Sequence, residues 1–242
     1  MNRLDHVLIR VDKLEKAVQE FQQMGFKVFY GNAKENCHHA LIYFQDESFI
    51  ELVDQSKFPA LLLYLSKKKV LKNLGIFFSR IGHYASSESR FLDYSIYDSD
   101  IDYMHKKCKT NNKVSKLFKL KREDSKGQKL NWKLFAFKDM DLPFIMSDYS
   151  PLKYPGNDAD VHPNGILGIE AMEIASTNVS AYCQKLNRIF DIESADAVFN
   201  FEHTKIRVVK GNSSKIRSLT LKGELQSDFD LESLQSYGIF MS

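Results

Sequence analysis

One order of elements, β-α-β-β-β, occurs three times in succession along the 242 residues, and this repetition limits the fold more than any other feature of the chain. In the first copy Val7, Ile9 and Val11 fall on one face at the two-residue period of a strand. Asp12 stands three residues before Glu15, the spacing of a capped helix start. Leu14, Ala17, Val18, Phe21 and Met24 then recur at helical spacing, and Gly25 suits a left-handed C-terminal cap. Three short strand-like runs follow at 26–30, 40–44 and 48–53. The same order returns near the C-terminus: a strand over 170–175 and a helix capped by Thr177 or Asn178, then strands at 197–201, 205–209 and 216–221. A looser copy lies between them, with a strand over 91–97 and a short helix over 100–109. Its further strands are 114–120, 130–137 and 142–147. Matching Ile9 to Ile96 and to Ile174 sets Asp93 and Ala171 opposite His6.

Each unit alone leaves one sheet face uncovered, so the units must pack on one another. The expected organisation is a first module at 1–57, a connecting helical segment at 58–89 and a second module at 90–150. A linker at 151–164, a third module at 165–225 and a polar tail at 226–242 complete it. Within the connecting segment a helix is expected over 66–82, with Lys67, Lys68 and Lys69 as its solvated first turn. Pro155-Gly156-Asn157-Asp158 and Pro163-Asn164-Gly165 mark turns in the linker.

Composition narrows the partners. The 34 basic and 31 acidic residues are too evenly balanced for a nucleic-acid binder, and no apolar run approaches the ~20 residues of a membrane span. Cys37, Cys108 and Cys183 form no CxxC pair, which fits reduced thiols in a cytoplasm; no secretory signal is evident at the start. No nucleotide-binding loop presents itself. The 12% aromatic content is high for a chain with one Trp, and it divides between positions a βαβββ unit must bury and positions facing a shared cleft.

With the repeat in hand, four short motifs acquire meaning: Leu4-Asp5-His6-Val7, Phe49-Ile50-Glu51-Leu52, Leu142-Pro143-Phe144-Ile145 and His162-Pro163-Asn164-Gly165. Together they resemble the glyoxalase-like branch of the vicinal oxygen chelate superfamily over about residues 3–222. That resemblance implies an α+β fold in which paired βαβββ modules, with curved mixed sheets, enclose a cleft. It also implies a divalent metal (Zn, Mn, Fe or Ni) whose coordination is completed by substrate oxygens. The ligand positions it implies are His6 and Glu51 in the first module and Asp93 in the second. Met146 stands where a second glutamate is expected, and Ala171 occupies the histidine position of the third module.

Two functional readings follow. In the first, His6, Glu51 and Asp93 hold a metal that polarises a carbonyl or aligns vicinal oxygens, as an isomerase, lyase, dioxygenase or thiol transferase would need. In the second, the scaffold binds a small molecule without catalysis. On either reading His39, Tyr94, Trp132, Phe144 and Met146 are expected to line the pocket, since a cleft with aromatic walls and few polar groups suits a small organic ligand. His38 and His39 are adjacent on a strand, so at most one looks inward. No catalytic residue is assigned, and a homodimer is an option.

Overall fold

The computed structural model describes residues 2–32, 37–123, 127, 129–151, 158–226 and 228–242; the expected turn at Pro155, Gly156 and Asn157 lies outside these described residues. The first copy folds as β1 (Asn2–Val11), α1 (Leu14–Gln23), β2 (Phe29–Tyr30), β3 (His39–Tyr43) and β4 (Phe49–Asp54). After α2 (Ala60–Lys67) and α3 (Ile76–Tyr84) comes the second copy: β5 (Phe91–Asp98), α4 (Ile101–Asn111), β6 (Phe118–Glu123), β7 (Lys129–Ala136) and β8 (Phe144–Met146). The remainder comprises β9 (Ile166–Ser176), α5 (Val179–Phe190), β10 (Val198–Asn200), β11 (Lys205–Lys210), β12 (Lys215–Gly223) and β13 (Ile239–Met241).

β1 joins the first two copies into one eight-stranded sheet, ordered β2-β3-β4-β1-β5-β8-β7-β6. It runs parallel to β4 on one side and antiparallel to β5 on the other. The five-stranded second sheet repeats this centre: β9 is parallel to β11 and antiparallel to β12, which is parallel to β13. The run at 216–221, read from sequence as the last strand of a third module, therefore takes the place beside β9 that β5 takes beside β1. Strand propensity locates such a run but does not choose its partner. The expected polar tail is likewise structural. Leu234, Tyr237 and Ile239 are buried, and the chain end supplies β13.

One continuous core lies behind the first sheet, where Val7, Ile9, Ile50 and Ile96 meet α1, α4, α5 and the apolar face of the second sheet. Buried aliphatic and aromatic side chains here each contribute roughly 1.5–3 kcal/mol. The helix starts are secured by different means. Asn178 caps α5 by accepting from the Ala181 amide at 3.0 Å, and Asp100 caps α4 through Tyr103. Asp12, the expected cap of α1, is solvent-exposed. The Leu14 amide instead donates to buried Asp54 at 3.1 Å, at the end of β4, so α1 is capped across the fold. The helix expected over 66–82 is broken into α2, a short turn at Val70–Asn73 and α3. The lysine triplet closes α2 rather than opening a helix, which places its charge at the favourable end of the helix dipole.

His162-Pro163-Asn164-Gly165 is the hinge between the two sheets. The His162 Nδ1 accepts from the Lys27 amide at 3.0 Å, so its Nε2 carries the proton and donates to the Tyr43 carbonyl at 2.8 Å. Fully buried Asn164 donates to the Met24 carbonyl at 2.7 Å. Gly165 has φ +79°, and a Cβ there would stand 1.9 Å from the Glu224 carbonyl oxygen, so only glycine fits. Burial, helped by the Lys27 cation, pushes the His162 pKa down to about 4 against the Tyr43 carbonyl, which favours the charged ring. A neutral ring in the fold and an ordinary pKa of 6.5 in the unfolded chain mean that folding stability is intact above about 6.5. That stability is lost as the pH falls towards about 4. Thermal melts across this window should show the loss in the native chain, and His162→Gln, which does not titrate, should flatten it.

Candidate functional site

The opposite, concave face of the first sheet is assembled by strand register. His6 and Leu8 of β1 lie beside Phe49 and Glu51 of β4, and these lie beside Tyr43 and Leu41 of β3; His39 continues that row. On the other side, Leu8 pairs with Asp93 and His6 with Ser95 of β5. Beyond them come Phe144 and Met146 of β8, Leu134 and Trp132 of β7, then Phe118, Leu120 and Arg122 of β6.

This sheet curls until its ends meet. Six strand spacings separate β3 from β6, roughly 29 Å if the sheet were flat. Yet Arg122 Nη1 lies 3.2 Å from His39 Nε2, and Arg122 also hydrogen-bonds Tyr43. The guanidinium carbon stands 5.4 Å from the centre of the Tyr149 ring and 5.9 Å from Trp132, and these two rings meet edge to face at 5.3 Å. A side chain on Gly31 would strike this contact, because a Cβ there would lie 1.8 Å from His39 Nε2. Burial drives the His39 pKa down, although the Glu51 charge opposes it, so the ring is neutral near pH 7. Burial raises the Tyr43 pKa to about 12 despite Arg122. Burial disfavours the charge on Arg122, but Tyr149, Tyr43 and Glu51 hold its pKa above the ordinary value.

At the floor, Asp5 Oδ2 and His6 Nδ1 are 2.5 Å apart, and His6 Nε2 faces Glu51 Oε2 at 3.6 Å. The His6 ring stacks on Phe49, 4.4 Å between centres, with Phe144 edge-on at 5.2 Å. Burial would raise the Glu51 pKa, but His39, His6 and Arg122 together hold it below the ordinary carboxyl value. A carboxylate on Nδ1 fixes the imidazole so that Nε2 looks at Glu51, the arrangement that orients metal-bound histidines. Two ligands on one ion at about 2.1 Å stand roughly 3–3.5 Å apart, slightly closer than the 3.6 Å of this pair, so a small inward movement of either side chain would make a metal clasp.

Asp93 does not complete the clasp. Its Oδ1 receives Arg80 Nη2 at 2.9 Å and the Tyr94 amide at 2.8 Å, and its Oδ2 receives Arg80 Nε and the Tyr84 hydroxyl. Arg80, from α3, also donates to the Phe137 and Leu142 carbonyls. Burial opposes the Arg80 charge, but Asp93 and Tyr84 raise its pKa regardless. A protein guanidinium thus neutralises the carboxylate that the sequence offers as a third ligand. Among the described residues no group of three His, Cys, Asp or Glu is disposed to hold a metal ion. The three-residue metal centre therefore does not fit this chain, whereas the two-residue clasp does.

The expected lining residues divide. His39, Trp132, Phe144 and Met146 share the concave face, but Tyr94 faces the core behind the sheet, where its hydroxyl is 3.0 Å from that of Tyr182. The side chain following Asp93 on a strand points to the opposite face, which accounts for the difference. Register also relocates the lost glutamate. Glu51 pairs with Leu8, the β5 equivalent of Leu8 is Ser95, and Ser95 pairs with Phe144 rather than Met146. Sequence reading passed over Arg80, Arg122, Tyr43 and Tyr149. The alternation Phe118, Leu120, Arg122 carried the one available signal, a charge in an otherwise apolar row.

The sequence profile described as a glyoxalase-like domain matches residues 4–190. The chain belongs to this family. Among solved structures it is similar to a hypothetical protein from Staphylococcus aureus, with TM-score 0.70 and 19% identity over 94% of this chain and 93% of that one. It is also similar to a Mn(II)-bound glyoxalase from Novosphingobium aromaticivorans, with TM-score 0.55 and 12% identity over 94% and 68%. An extradiol ring-cleaving dioxygenase from B. fuscum gives TM-score 0.53 and 8% identity over 92% and 57%. These likenesses show the fold alone, a curled sheet built from βαβββ copies. No curated protein sequence matches the chain.

Removing either partner of the Arg80–Asp93 pair leaves a buried charge alone, which typically costs about 3–5 kcal/mol. Asp93→Ala should show a loss of that size in urea denaturation. The double variant Arg80→Met, Asp93→Leu should recover most of it.

Proposed function

We propose that this glyoxalase-like chain binds a small, oxygen-rich organic molecule inside the curled first sheet. The observation that carries the reading is the Arg122–His39 contact, which closes the sheet over a face where Phe49, Trp132, Phe144 and Tyr149 stand with the polar side chains of His6, Glu51, His39 and Arg122. Apolar walls with a few placed polar side chains are what a small-molecule site requires. The capture of Asp93 by Arg80 supports binding without a three-ligand metal centre.

A metal-assisted reaction, whether isomerisation, elimination, ring cleavage or thiol transfer, is the second reading. It is supported by Asp5 ordering His6 towards Glu51 and by the Mn(II)-bound glyoxalase among the structural neighbours. Here His6 and Glu51 would hold the ion and Asp5 would fix the ring. The ion would supply Lewis acidity.

Three buried free thiols support a cytoplasmic setting as part of the proposal, and a homodimer is compatible with it. No helix among the described residues is long and apolar enough to cross a membrane.

The two readings separate in a thermal-shift screen of small carbonyl and carboxylate metabolites, run with and without EDTA. Ligand-dependent stabilisation that survives chelation, with a rise in melting temperature that grows with ligand concentration, is the expected result. If stabilisation disappears with EDTA and returns with Mn(II), and His6→Ala and Glu51→Gln both abolish that return, the metal-assisted reading replaces the first. If no ligand shifts the melting temperature under either condition, the binding reading fails.

A further inference from the structure

We propose that Arg122 and His39 form the subsite that takes the carboxylate of an aromatic or similarly flat ligand in the curled sheet. The inference rests on the binding reading above and names the chemical class of what is bound.

A guanidinium has only N–H donors, so in the 3.2 Å contact the Arg122 Nη1 donates and the His39 Nε2 accepts. A neutral imidazole that accepts at Nε2 carries its proton on Nδ1. The His39 Nδ1 is therefore a donor, and it is buried with no acceptor among the described residues. The Arg122 Nε is a second donor in the same condition. Buried donors without acceptors are rare, because each forfeits its hydration with nothing in return. Two of them on a pair of side chains already in contact is a local surplus of donors, and oxygen acceptors from a ligand would relieve it.

The charge has the matching sign. Among the described residues no carboxylate lies within 4 Å of Arg122 in an ion pair, whereas buried Arg80 pairs with Asp93 and buried Arg3 with both Glu47 and Asp148. Glu51 is the acid that contributes to the field at Arg122, and its nearest basic group is His6 at 3.6 Å. A carboxylate is the oxyanion whose geometry matches a guanidinium edge, with two parallel N–H···O bonds. The neighbourhood supplies flat surfaces too. Trp132 and Tyr149 stand 5.9 and 5.4 Å from the guanidinium carbon, so a planar body attached to the carboxylate would meet aromatic faces on entering.

Trp132 is the sole tryptophan, so its fluorescence reports on this subsite directly. The experiment titrates the full-length chain with benzoate, benzamide and acetate, exciting the indole selectively. Benzoate should change the emission saturably with a Kd of about 1 mM, as befits a fragment of this size. Benzamide and acetate should each bind at least tenfold more weakly, one lacking the charge and the other the ring. Arg122→Gln should weaken benzoate tenfold or more. Arg122→Lys, which keeps the charge but loses the two-pronged edge, should weaken it less than Arg122→Gln does. His39→Phe keeps a ring against Gly31 and removes Nδ1, so it too should weaken benzoate, and it serves if the Arg122 variants do not fold.

Equal affinity for benzamide and benzoate would overturn the carboxylate assignment while leaving the binding reading intact. Unchanged benzoate affinity in folded Arg122→Gln or His39→Phe would overturn the assignment of these residues. A failure of benzoate to bind, alongside metabolites that do stabilise the chain in the thermal-shift screen, would sink this subsite alone.

Discussion

The antiparallel pairing of β1 with β5 is the contact on which everything else rests. It fuses two βαβββ copies into one sheet, and because both copies bring their first strand to the seam, His6 and Asp93 come to one face on adjacent strands, diagonal to each other. The rest of each copy then extends outward in opposite directions, β4-β3-β2 one way and β8-β7-β6 the other. Such a sheet has two exposed ends, and its right-handed twist accumulates from strand to strand. Side-chain contacts from Arg122 to His39 and Tyr43 bring the two halves of the open sheet face to face, and the concave side becomes an interior.

Much of this was legible in the residues. Period-two runs, helical spacing and the recurrence of one element order specified every strand at the seam, and the motifs around His6 and Glu51 marked the concave face. What escaped the sequence was pairing at a distance. The cap of α1 comes from Asp54 across the sheet rather than from neighbouring Asp12, a choice that no local pattern records. The run at 216–221 was recognisable as a strand, yet its partner follows from which edge of β9 remained free. His162-Pro163-Asn164-Gly165 was visible as a motif, but its task of bonding Lys27, Tyr43 and Met24 emerges only when the two sheets meet.

Asp93 shows the limit most clearly. Its position by the repeat matches that of His6, and by register it stands beside Leu8 on the same concave face. The connecting helices decide otherwise. Arg80 arrives from α3 and saturates the carboxylate, with Tyr84 adding a hydroxyl. The connecting segment that carries α3 occurs once, so neither of the other copies offers a counterpart for Arg80. A buried cation on such a segment turns the carboxylate into half of a structural ion pair, and burial makes that pair costly to undo.

The second sheet repeats the seam of the first with five strands in place of eight. On the face equivalent to the one bearing His6 and Glu51 it carries Ala171, Glu173, Lys205, Arg207 and Arg217, and Glu173 and Arg217 pair there at 3.3 Å in solvent. One face dry and one face wet is the usual state of an antiparallel-rich sheet. The duplication therefore produced two similar frames with opposite exposures, and only one of them has an inside. A ligand held by this architecture would bind with a stoichiometry of one per chain, however symmetric the strand order looks on paper.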